Sequence, residues 1–457
     1  MNKMMIFACA LTAFACQTEA PKPVSAEPAS CAGKAKCITT IIGSGDNALT
    51  AEAGTLGWQT PTSQPNSSRV GPDGKLYYID WNNHMVRVWN PKTLKTDTIA
   101  GTGEIGDLGS GGPAIQARMN HPTDLHFLSD GSLLIAAWHN SKIKRIDLAT
   151  GILTDSCGTG GRAFAGDGGP AAKAVLDLPA SVVSDGKGNL LLLDQANQRI
   201  RMIDDKDVIT TVLGDRWMTD TAKKDGKPLQ DDKGYFLDCT NTPAADSDKF
   251  QVVKTTGADG TISYKRFLND VGKEVAQAIP IPNKCSGFKG DGGAMAEAAI
   301  GMQFSQSAIP NGRIHYDIAN DVLYIADSMN HRVRKVDMKT KVITTVAGSG
   351  DGKAAAGYSG DGGPATEAKL NTPVDIDMLP DGTLLIADLF NSCIRAVAKD
   401  GKISTFAGQC GKKGFSGDGG GATTALLNRP YGVSVDAKTG TVYIADTNNN
   451  RIRSVTP

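Results

Sequence analysis

The sequence YIADSMNHRVRKV at residues 324–336 decides the fold, because close copies of it recur along the chain. In each copy a short apolar run ends in aspartate, asparagine follows three residues later, and basic residues then alternate with β-branched ones. The other five copies begin at Tyr77, Leu134, Leu191, Leu385 and Tyr443. Short apolar runs separated by Asp/Asn turns predict pairs of antiparallel strands.

The spacing of the copies indicates how many structural units the chain contains. The marker aspartate falls at positions 80, 137, 194, 327, 388 and 446, with Ala137 standing in place of one aspartate. Successive intervals are 57, 57, 133, 61 and 58 residues, so one interval carries an insertion of about seventy residues. Repeats of this period that hold several short strands are typical of β-propeller blades.

Two further motifs complete each unit. A glycine motif, GDGGPA at 166–171 and 360–365, precedes the unit, with variants at 109–114, 290–295 and 417–422. β-Branched stretches that end in glycine, such as VITTVAG at 342–348, follow it. Each unit therefore contains four strands, and we expect an all-β, six-bladed propeller with four-stranded blades.

The composition agrees with this fold and excludes other classes of protein. Glycine makes up 53 of 457 residues, above the usual ~7%, as many tight turns require. Lysine plus arginine equal aspartate plus glutamate at 48 each, so the formal charge is zero and no basic excess attracts nucleic acid.

The two ends of the repeat region predict how the ring closes. The stretch ITTIIG at 38–43 has the pattern of a fourth strand but no unit before it, whereas the last unit ends with its third strand, RIRSV at 451–455. We expect the N-terminal strand to complete the last blade, because closure removes the exposed strand edges of an open ring.

The quoted motifs resemble NHL repeats, in the variety found in bacterial exported lipoproteins and in the NHL propeller of teneurins. The resemblance covers residues 37–457 and implies a six-bladed propeller. It leaves the function open, because the same fold carries many different sites.

The N-terminal residues are typical of an export signal. Lys3 precedes a short apolar run, and Ala15 precedes Cys16 in a sequence that resembles a bacterial lipobox. We expect residues 1–15 to be a signal peptide, Cys16 to be lipidated, and residues 16–36 to be a flexible tether. Gln17 indicates sorting to the outer membrane, and a secreted or periplasmic protein is the alternative.

Export places the remaining cysteines in an oxidising compartment. We expect a disulfide between Cys239 and Cys285, because both lie in the long irregular segment, where a crosslink removes the most chain freedom. Weaker predictions pair Cys31 with Cys37 and Cys393 with Cys410, and these leave Cys157 free. The segment itself, residues 215–284, contains a predicted β-hairpin and should lie over the top face of the propeller, where loops from the fourth to the next first strand run.

The recurrent aspartates favour a structural role over a catalytic one. Asp and Asn side chains in turns bond to the local backbone, and a residue repeated in five blades is more economically explained by the blade than by five active sites. The aspartates concerned are Asp80, Asp194, Asp327, Asp388 and Asp446.

Departures from the repeat supply the candidate site. On the first strands the residues two and four places after a proline differ between blades, and strand alternation directs them to the central channel. We expect ligand contacts from Asp124, Arg313 and Asp375, with Trp138 and His139 at the top mouth, and a metal such as zinc or calcium at His126 and His315. The alternative is a solvated channel whose charges pair with one another.

Two classes of function remain. The first is a tethered, monomeric binding or scaffold module that holds a protein, peptide or glycan on its top face. The second is a metal-dependent lyase or lactonase, because peptidyl-hydroxyglycine amidating lyases have a similar propeller with a zinc held by three histidines. This chain offers His126 and His315, with His139 as a third candidate, so the binding class is favoured.

Overall fold

The computed structural model describes residues 26–49, 53–214, 250–256, 262–268, 288–303, 309–350 and 355–457. Its regular structure in these ranges consists of β-strands and single-turn 3-10 helices, which confirms the predicted all-β class. The signal peptide, Cys16 and most of the tether lie outside the described residues.

Six antiparallel sheets form the blades of a propeller, and in blades 1 to 5 the four main strands pair in the order of the chain. First strands of adjacent blades contact one another all the way round, so they enclose a central channel. The four strands of blades 1 to 5 are, in order, Pro65–Val70, Leu76–Asp80, Met85–Asn90 and Lys95–Ala100; Pro122–Phe127, Leu133–Ala137, Lys142–Asp147 and Ile152–Cys157; Pro179–Ser184, Leu190–Asp194, Arg199–Ile203 and Val208–Leu213; Ile314–Asp317, Val322–Asp327, Arg332–Asp337 and Val342–Ala347; Pro373–Met378, Leu384–Asp388, Cys393–Val397 and Ile403–Ala407.

Blade 6 joins the two ends of the propeller. Its first three strands are Gly432–Val435, Val442–Asp446 and Arg451–Val455, and its fourth is the N-terminal strand Cys37–Ile42. That strand pairs antiparallel with the third strand in the register Ile38 to Val455. The predicted closure is confirmed, and no blade depends on a neighbouring molecule for its fourth strand.

The glycine motif forms the loop that enters blades 2 to 6. A two-residue strand pairs with the fourth strand in blades 1, 2, 3 and 6, at Thr55–Leu56, Gly112–Pro113, Gly169–Pro170 and Gly420–Gly421. Single-turn helices follow at Gly57–Gln59, Ala114–Gln116, Ala171–Lys173, Met295–Glu297, Ala365–Glu367 and Ala422–Thr424. Glycine is required at Gly166, where φ is +93° and an added Cβ would lie 2.7 Å from the Cα atom of Ala174.

The turn between the second and third strands contains the repeated Asp-x-x-Asn. In blade 4 the Asp327 carboxylate accepts the Gly301 backbone N–H at 2.6 Å and the Asn330 side-chain amide at 2.9 Å. Short 3-10 helices occupy these turns at Trp81–Asn83, Trp138–Asn140, Ser328–Asn330, Leu389–Asn391 and Thr447–Asn449. The aspartate thus satisfies backbone and side-chain donors that the turn would otherwise bury.

A buried arginine on the third strand connects this turn to the glycine loop. Arg334 lies 2.8 Å from Asp291 of the glycine motif and 3.5 Å from Asp327, and it donates to the Ala299 carbonyl at 2.7 Å. The same arginine is fully buried in blades 3, 5 and 6, at Arg201, Arg395 and Arg453. These contacts give the repeated aspartates the structural role that the sequence predicts.

Blade 2 replaces every member of this network. Ala137 stands in place of the aspartate, Ser110 replaces the aspartate of the glycine motif, and Lys144 replaces the arginine. Lys144 is buried and contacts Asp107 and Asp155, each at 2.7 Å. A buried cation at this strand position keeps carboxylate partners even when their positions in the sequence change.

The hydrophobic core lies between the faces of neighbouring blades. Leu134 and Ile143 of blade 2, for example, pack with Val182 and Leu192 of blade 3, and all four are fully buried. Burying a side chain of this kind contributes about 1.5–3 kcal/mol relative to leaving it exposed. Each blade consequently depends on both neighbours for its core.

The cysteines of the described residues pair as predicted. Disulfides join Cys31 to Cys37 and Cys393 to Cys410, and Cys157 is a buried free thiol. The predicted Cys239–Cys285 pair lies outside the described residues.

Two strands of the insertion are described, Phe250–Thr256 and Ile262–Leu268, and they pair antiparallel as the predicted hairpin. The remainder of residues 215–284, on which its predicted placement over the top face depends, lies outside the described residues. Among the helices of the described ranges, none has the length and apolar character needed to cross a membrane.

Replacing the blade arginine should destabilise the propeller strongly. We expect Arg201→Met to lower the free energy of unfolding by about 3–5 kcal/mol, because it leaves the Asp194 carboxylate buried without its cation. The double variant with Asp194→Asn should lose less than the single variant, because it removes the uncompensated charge. Chemical denaturation at pH 9, well above the value of about 7 to which burial raises the pKa of Asp194, measures both.

The control for this experiment is Arg145→Ala, which removes an exposed ion pair with Asp130 on the same kind of strand. Exposed pairs contribute about 0–1 kcal/mol, so this variant should unfold close to wild type. Equal losses for Arg145→Ala and Arg201→Met would contradict the structural role of the buried arginine.

Candidate binding site

The channel is closed on its top side by one arginine. Arg313, which is 3% exposed, donates to the carbonyl oxygens of Asn66 at 2.7 Å, Thr123 at 2.6 Å and Tyr431 at 3.0 Å. Its guanidinium also contacts the Asp375 carboxylate at 2.9 Å. A single side chain therefore binds residues from blades 1, 2, 5 and 6 across the axis.

The two carboxylates of this layer are also bonded within the protein. Asp124 accepts hydroxyl donors from Ser67 at 3.3 Å and Ser181 at 2.6 Å, and Asp375 accepts the Val433 backbone N–H at 3.0 Å. Both carboxylates are fully buried. The structure thus places Asp124, Arg313 and Asp375 together, as predicted, but beneath the top mouth and out of contact with solvent.

A second layer of ionisable groups lies further along the first strands. Arg69 sits 3.6 Å from Asp124, 3.8 Å from Asp375 and 3.9 Å from Asp377, and Asp377 contacts His315 Nδ1 at 3.2 Å. Arg69 is 16% exposed, so this layer is closer to solvent than the upper one. The charges of the channel pair with one another, which was the alternative to a shared ligand.

His126 does not fit a metal site. His126 Nε2 accepts the Ser184 backbone N–H at 3.0 Å, so its proton resides on Nδ1 and no lone pair is left for a metal. Burial chiefly, assisted by Arg69 and His315, lowers the pKa of His126 to about 4, so this imidazole is neutral at pH 7. Among the described residues no three His, Cys, Asp or Glu side chains are grouped as metal ligands. A zinc or calcium ion bound at His126 and His315 therefore stays a prediction.

The variable polar residues of the first strands join adjacent blades instead. Each inner strand is the edge of its sheet, so its outward N–H groups need acceptors. Asp377 accepts the Val435 N–H of the next blade at 2.9 Å, as His126 accepts that of Ser184. These residues vary because several side-chain types can supply an acceptor.

The aromatic residues predicted at the top mouth differ in exposure. Trp138 is 1% exposed and its indole Nε1 donates to Gln195 at 3.0 Å, so it is part of the core. His139 stacks on it at 4.2 Å and is partly exposed, and Trp81 lies 6.4 Å from Trp138. Only His139 of the two predicted residues presents a surface on this face.

A second set of side chains fastens the blades together at the top. The residue after the motif asparagine has a left-handed backbone, and its side chain accepts a backbone N–H from the next blade. The pairs are His84 with His121 N at 3.2 Å, His331 with Thr372 N at 3.0 Å, Ser392 with Arg429 N at 3.3 Å and Asn450 with Gln64 N at 2.9 Å. Two of these interblade acceptors are histidines, which gives the fold a sensitivity to acid.

A pocket of about 220 Å³ lies at the top mouth, above Arg313. It is built by blades 1 and 6 and by the segment before blade 4, and the described residues that line it are Gln64, Asn66, Trp81, Ile309, Pro310, Arg429, Tyr431, Thr447 and Asn448. None of these residues is among the candidate site residues that the sequence predicts.

A β-bulge lies at Asn66, one of the residues that line this pocket. In blade 1 the pairing of the first two strands shifts between Pro65 and Ser67, so Asn66 between them has no partner across the sheet. The same shift follows the first-strand proline in blades 2, 3 and 5, so the bulge belongs to the repeat and is not peculiar to blade 1. Arg313 fixes the backbones of Asn66 and Tyr431 from below, so both pocket residues stand on a rigid base.

Comparison with known families fits this architecture. The family model described as NHL repeat matches residues 427–453, which lie in blade 6. Because the Asp-x-x-Asn-x-Arg pattern of that blade recurs around the ring, the predicted resemblance to NHL-repeat propellers is confirmed.

Among curated proteins the chain is similar to mouse teneurin-1, with 27% identity over 386 residues. That match covers 79% of this chain but 13% of teneurin-1, so the chain spans a small part of its relative's length. Human NHL repeat-containing protein 2 is 35% identical over 91 residues, which are 20% of this chain and 12% of that protein.

Among solved structures the propeller is similar to two auxiliary nutrient binding proteins. The one from Bacteroides thetaiotaomicron has a TM-score of 0.54 and 13% identity, covering 92% of this chain and 75% of that one. The one from Bacteroides ovatus has a TM-score of 0.54 and 14% identity, covering 92% and 76%. At such identities the likeness shows the fold alone.

The interblade histidines predict a loss of stability in mild acid. Burial lowers the pKa of His84 and of His331 in the folded protein below the value of about 6.5 of the unfolded chain. Their contribution to stability is full above pH 6.5 and is lost as the pH falls toward their folded pKa values. We expect the double variant His84→Asn, His331→Asn, which copies the acceptor at Asn450, to flatten the fall in melting temperature between pH 6.5 and 5.

Ser392→Asn is the matched control, because it changes the same interblade position without removing a titrating group. Its melting temperature should follow the wild-type dependence on pH. If the double histidine variant kept the wild-type slope, protonation of His84 and His331 would not be what destabilises the blades.

Proposed function

We propose that the protein is a membrane-tethered, extracytoplasmic binding module, a monomer whose top face holds a protein, peptide or glycan. The observation that carries the proposal is the pocket of about 220 Å³ above a closed channel. Because the ionisable groups of the channel are bonded to one another, a ligand that approaches from the top contacts the residues of the mouth. Concave sites with a few convergent polar groups are where proteins bind small ligands.

The residues around the mouth support recognition because the repeat does not dictate them. Arg429, which lines the pocket, lies 5.0 Å from the ring centre of Phe390. Phe390 is 41% exposed and lies in the turn after the second strand of blade 5. Arginine and aromatic side chains are enriched at interfaces and dominate binding energy there. The rigid sheets beneath hold these side chains in place.

The solved neighbours support the same class of function. These neighbours are auxiliary nutrient binding proteins, and their propellers resemble this one in fold. Binding is favoured over a metal-dependent lyase or lactonase, because His126 lacks a lone pair for a metal and no third histidine joins it.

The tether forms part of the proposal. Acylation of Cys16 would place the propeller at the surface of the outer membrane, separated from the bilayer by the Pro-, Ala- and Ser-rich residues 17–30.

Lipidation can be tested directly. We expect the wild-type protein made in a Gram-negative host to incorporate radiolabelled palmitate and to sediment with membranes, because Cys16 carries the acyl chains. Cys16→Ser should abolish both properties, and mass spectrometry should find its mature chain without acyl mass. Cys157→Ser, which removes a buried thiol, serves as the control and should keep the label. An unlabelled wild-type chain would contradict the anchor.

Binding can be tested on glycan and peptide arrays with the purified Cys16→Ser protein. We expect specific signals that the pair Phe390→Ser, Arg429→Glu reduces at least tenfold, because these changes remove the aromatic and cationic surface of the mouth. Phe415→Ser is the matched control, since Phe415 is 43% exposed and lies under Arg451 in the same kind of pair. Equal losses for both variants, or no specific signal from wild type, would contradict a binding surface at the top mouth.

A further inference from the structure

The floor of the top pocket contains polar atoms that the protein does not satisfy. Asn66 is 1% exposed, and neither its side-chain oxygen nor its side-chain nitrogen has a hydrogen-bond partner within the described residues. The indole Nε1 of Trp81, another lining residue, is likewise buried and unpartnered there. A buried polar group without a partner costs about 1–3 kcal/mol, so this arrangement disfavours the unliganded state.

The equivalent positions in other blades show that the fold does not require asparagine here. The residue after the first-strand proline is Thr123 in blade 2, Ala180 in blade 3 and Val374 in blade 5, and all are buried. Thr123 satisfies its hydroxyl with the carbonyls of Ala136 at 3.3 Å and Ala180 at 3.0 Å. Asn66 is therefore the member of this set that lines the pocket and whose side-chain polar atoms have no partner among the described residues.

We propose that this pocket binds a single sugar residue, as a free monosaccharide or at the end of a glycan. The proposal rests on the binding function proposed above and specifies its ligand. The Asn66 amide offers a donor and an acceptor side by side, and Trp81 adds a second donor. A hydroxyl both donates and accepts, so neighbouring hydroxyls on one ring complement such a set, while Trp81 and Tyr431 cover the apolar face of that ring.

The charge of the lining favours a neutral or acidic sugar over an amino acid or a peptide terminus. Arg429 is the charged residue among the described ones that line the pocket, and none of those residues is a carboxylate. The ammonium group of an amino acid would enter without an anionic partner, which is costly away from water. A uronic acid would instead place its carboxylate near Arg429, where a charge-assisted bond can form.

The size of the pocket agrees with one ring. Its volume of about 220 Å³ is smaller than the roughly 300–1,000 Å³ of sites for drug-sized molecules. The pocket is therefore too small for an extended peptide segment and suits a compact ligand that presents its polar groups on several sides.

The decisive variant is Asn66→Leu, which keeps the shape of the side chain and removes its polar atoms. We expect this variant to melt at a higher temperature than wild type, because the unsatisfied amide is gone, and to bind sugar at least tenfold more weakly. Titration calorimetry with glucose, galactose, N-acetylglucosamine and glucuronate measures binding, and the quenching of tryptophan fluorescence reports contact with Trp81. Glycinamide and alanylalanine serve as amide and peptide probes.

Thr123→Val is the matched control at the same strand position. It removes a hydroxyl that is bonded within the protein, so it should lower the melting temperature and leave sugar binding unchanged. Asn66→Leu and Thr123→Val thus move stability in opposite directions if Asn66 is reserved for a ligand.

The remaining outcomes overturn the inference in distinguishable ways. A lower melting temperature for Asn66→Leu would mean that the amide has a structural partner, and the absence of binding by every sugar would mean that the pocket holds water only. Binding of the amide probes but not of sugars would assign a different ligand class. If array signals persist in Asn66→Leu but are lost in the double variant Phe390→Ser, Arg429→Glu, the sugar pocket is rejected and the proposed binding function is retained.

Discussion

Blades 3 to 6 each depend on one arginine that is buried between two carboxylates. In blade 4, Arg334 connects the third strand to Asp327 at the end of the second and to Asp291 in the glycine loop. Such buried pairs are poor sources of net stability, because desolvation offsets the attraction, and burial raises the pKa of Asp194 in blade 3 to about 7 although Arg201 opposes the change. The arginine instead favours one arrangement of the strands. The propeller turn brings both carboxylates within its reach, whereas a different pairing of the same strands would leave a charge buried alone.

The first strands meet a different constraint, because six sheet edges converge on one axis. Their outward N–H groups take side-chain acceptors from the preceding blade, and Arg313 takes carbonyl oxygens from three blades at once. These bonds use up the polar groups that a channel ligand or metal would need. Function is thereby directed to the mouth, where the turns between the second and third strands carry residues that neither network requires.

The sequence analysis predicted the blades, the ring closure and the two described disulfides, because each depends on local pattern or on chain order. It also brought Asp124, Arg313 and Asp375 into one layer, because they occupy equivalent positions of their first strands. It could not tell whether these groups bind a ligand or one another, because that depends on distances across the ring that no local pattern contains. It missed Asn66, because no local pattern shows that this side chain is left without a hydrogen-bond partner.

The hydrogen bonds that close the channel also fix the backbone beneath the pocket. Arg313 holds the carbonyl oxygens of Asn66 and Tyr431, so the backbone beneath the pocket is fixed whether or not a ligand is present. The Asn66 side chain, which stands on this fixed backbone, has no partner for its polar atoms among the described residues. Preorganisation of this kind lowers the entropic cost of binding, at the expense of stability in the unliganded state. The stability that the channel bonds contribute thus permits an unsatisfied polar group beside the pocket.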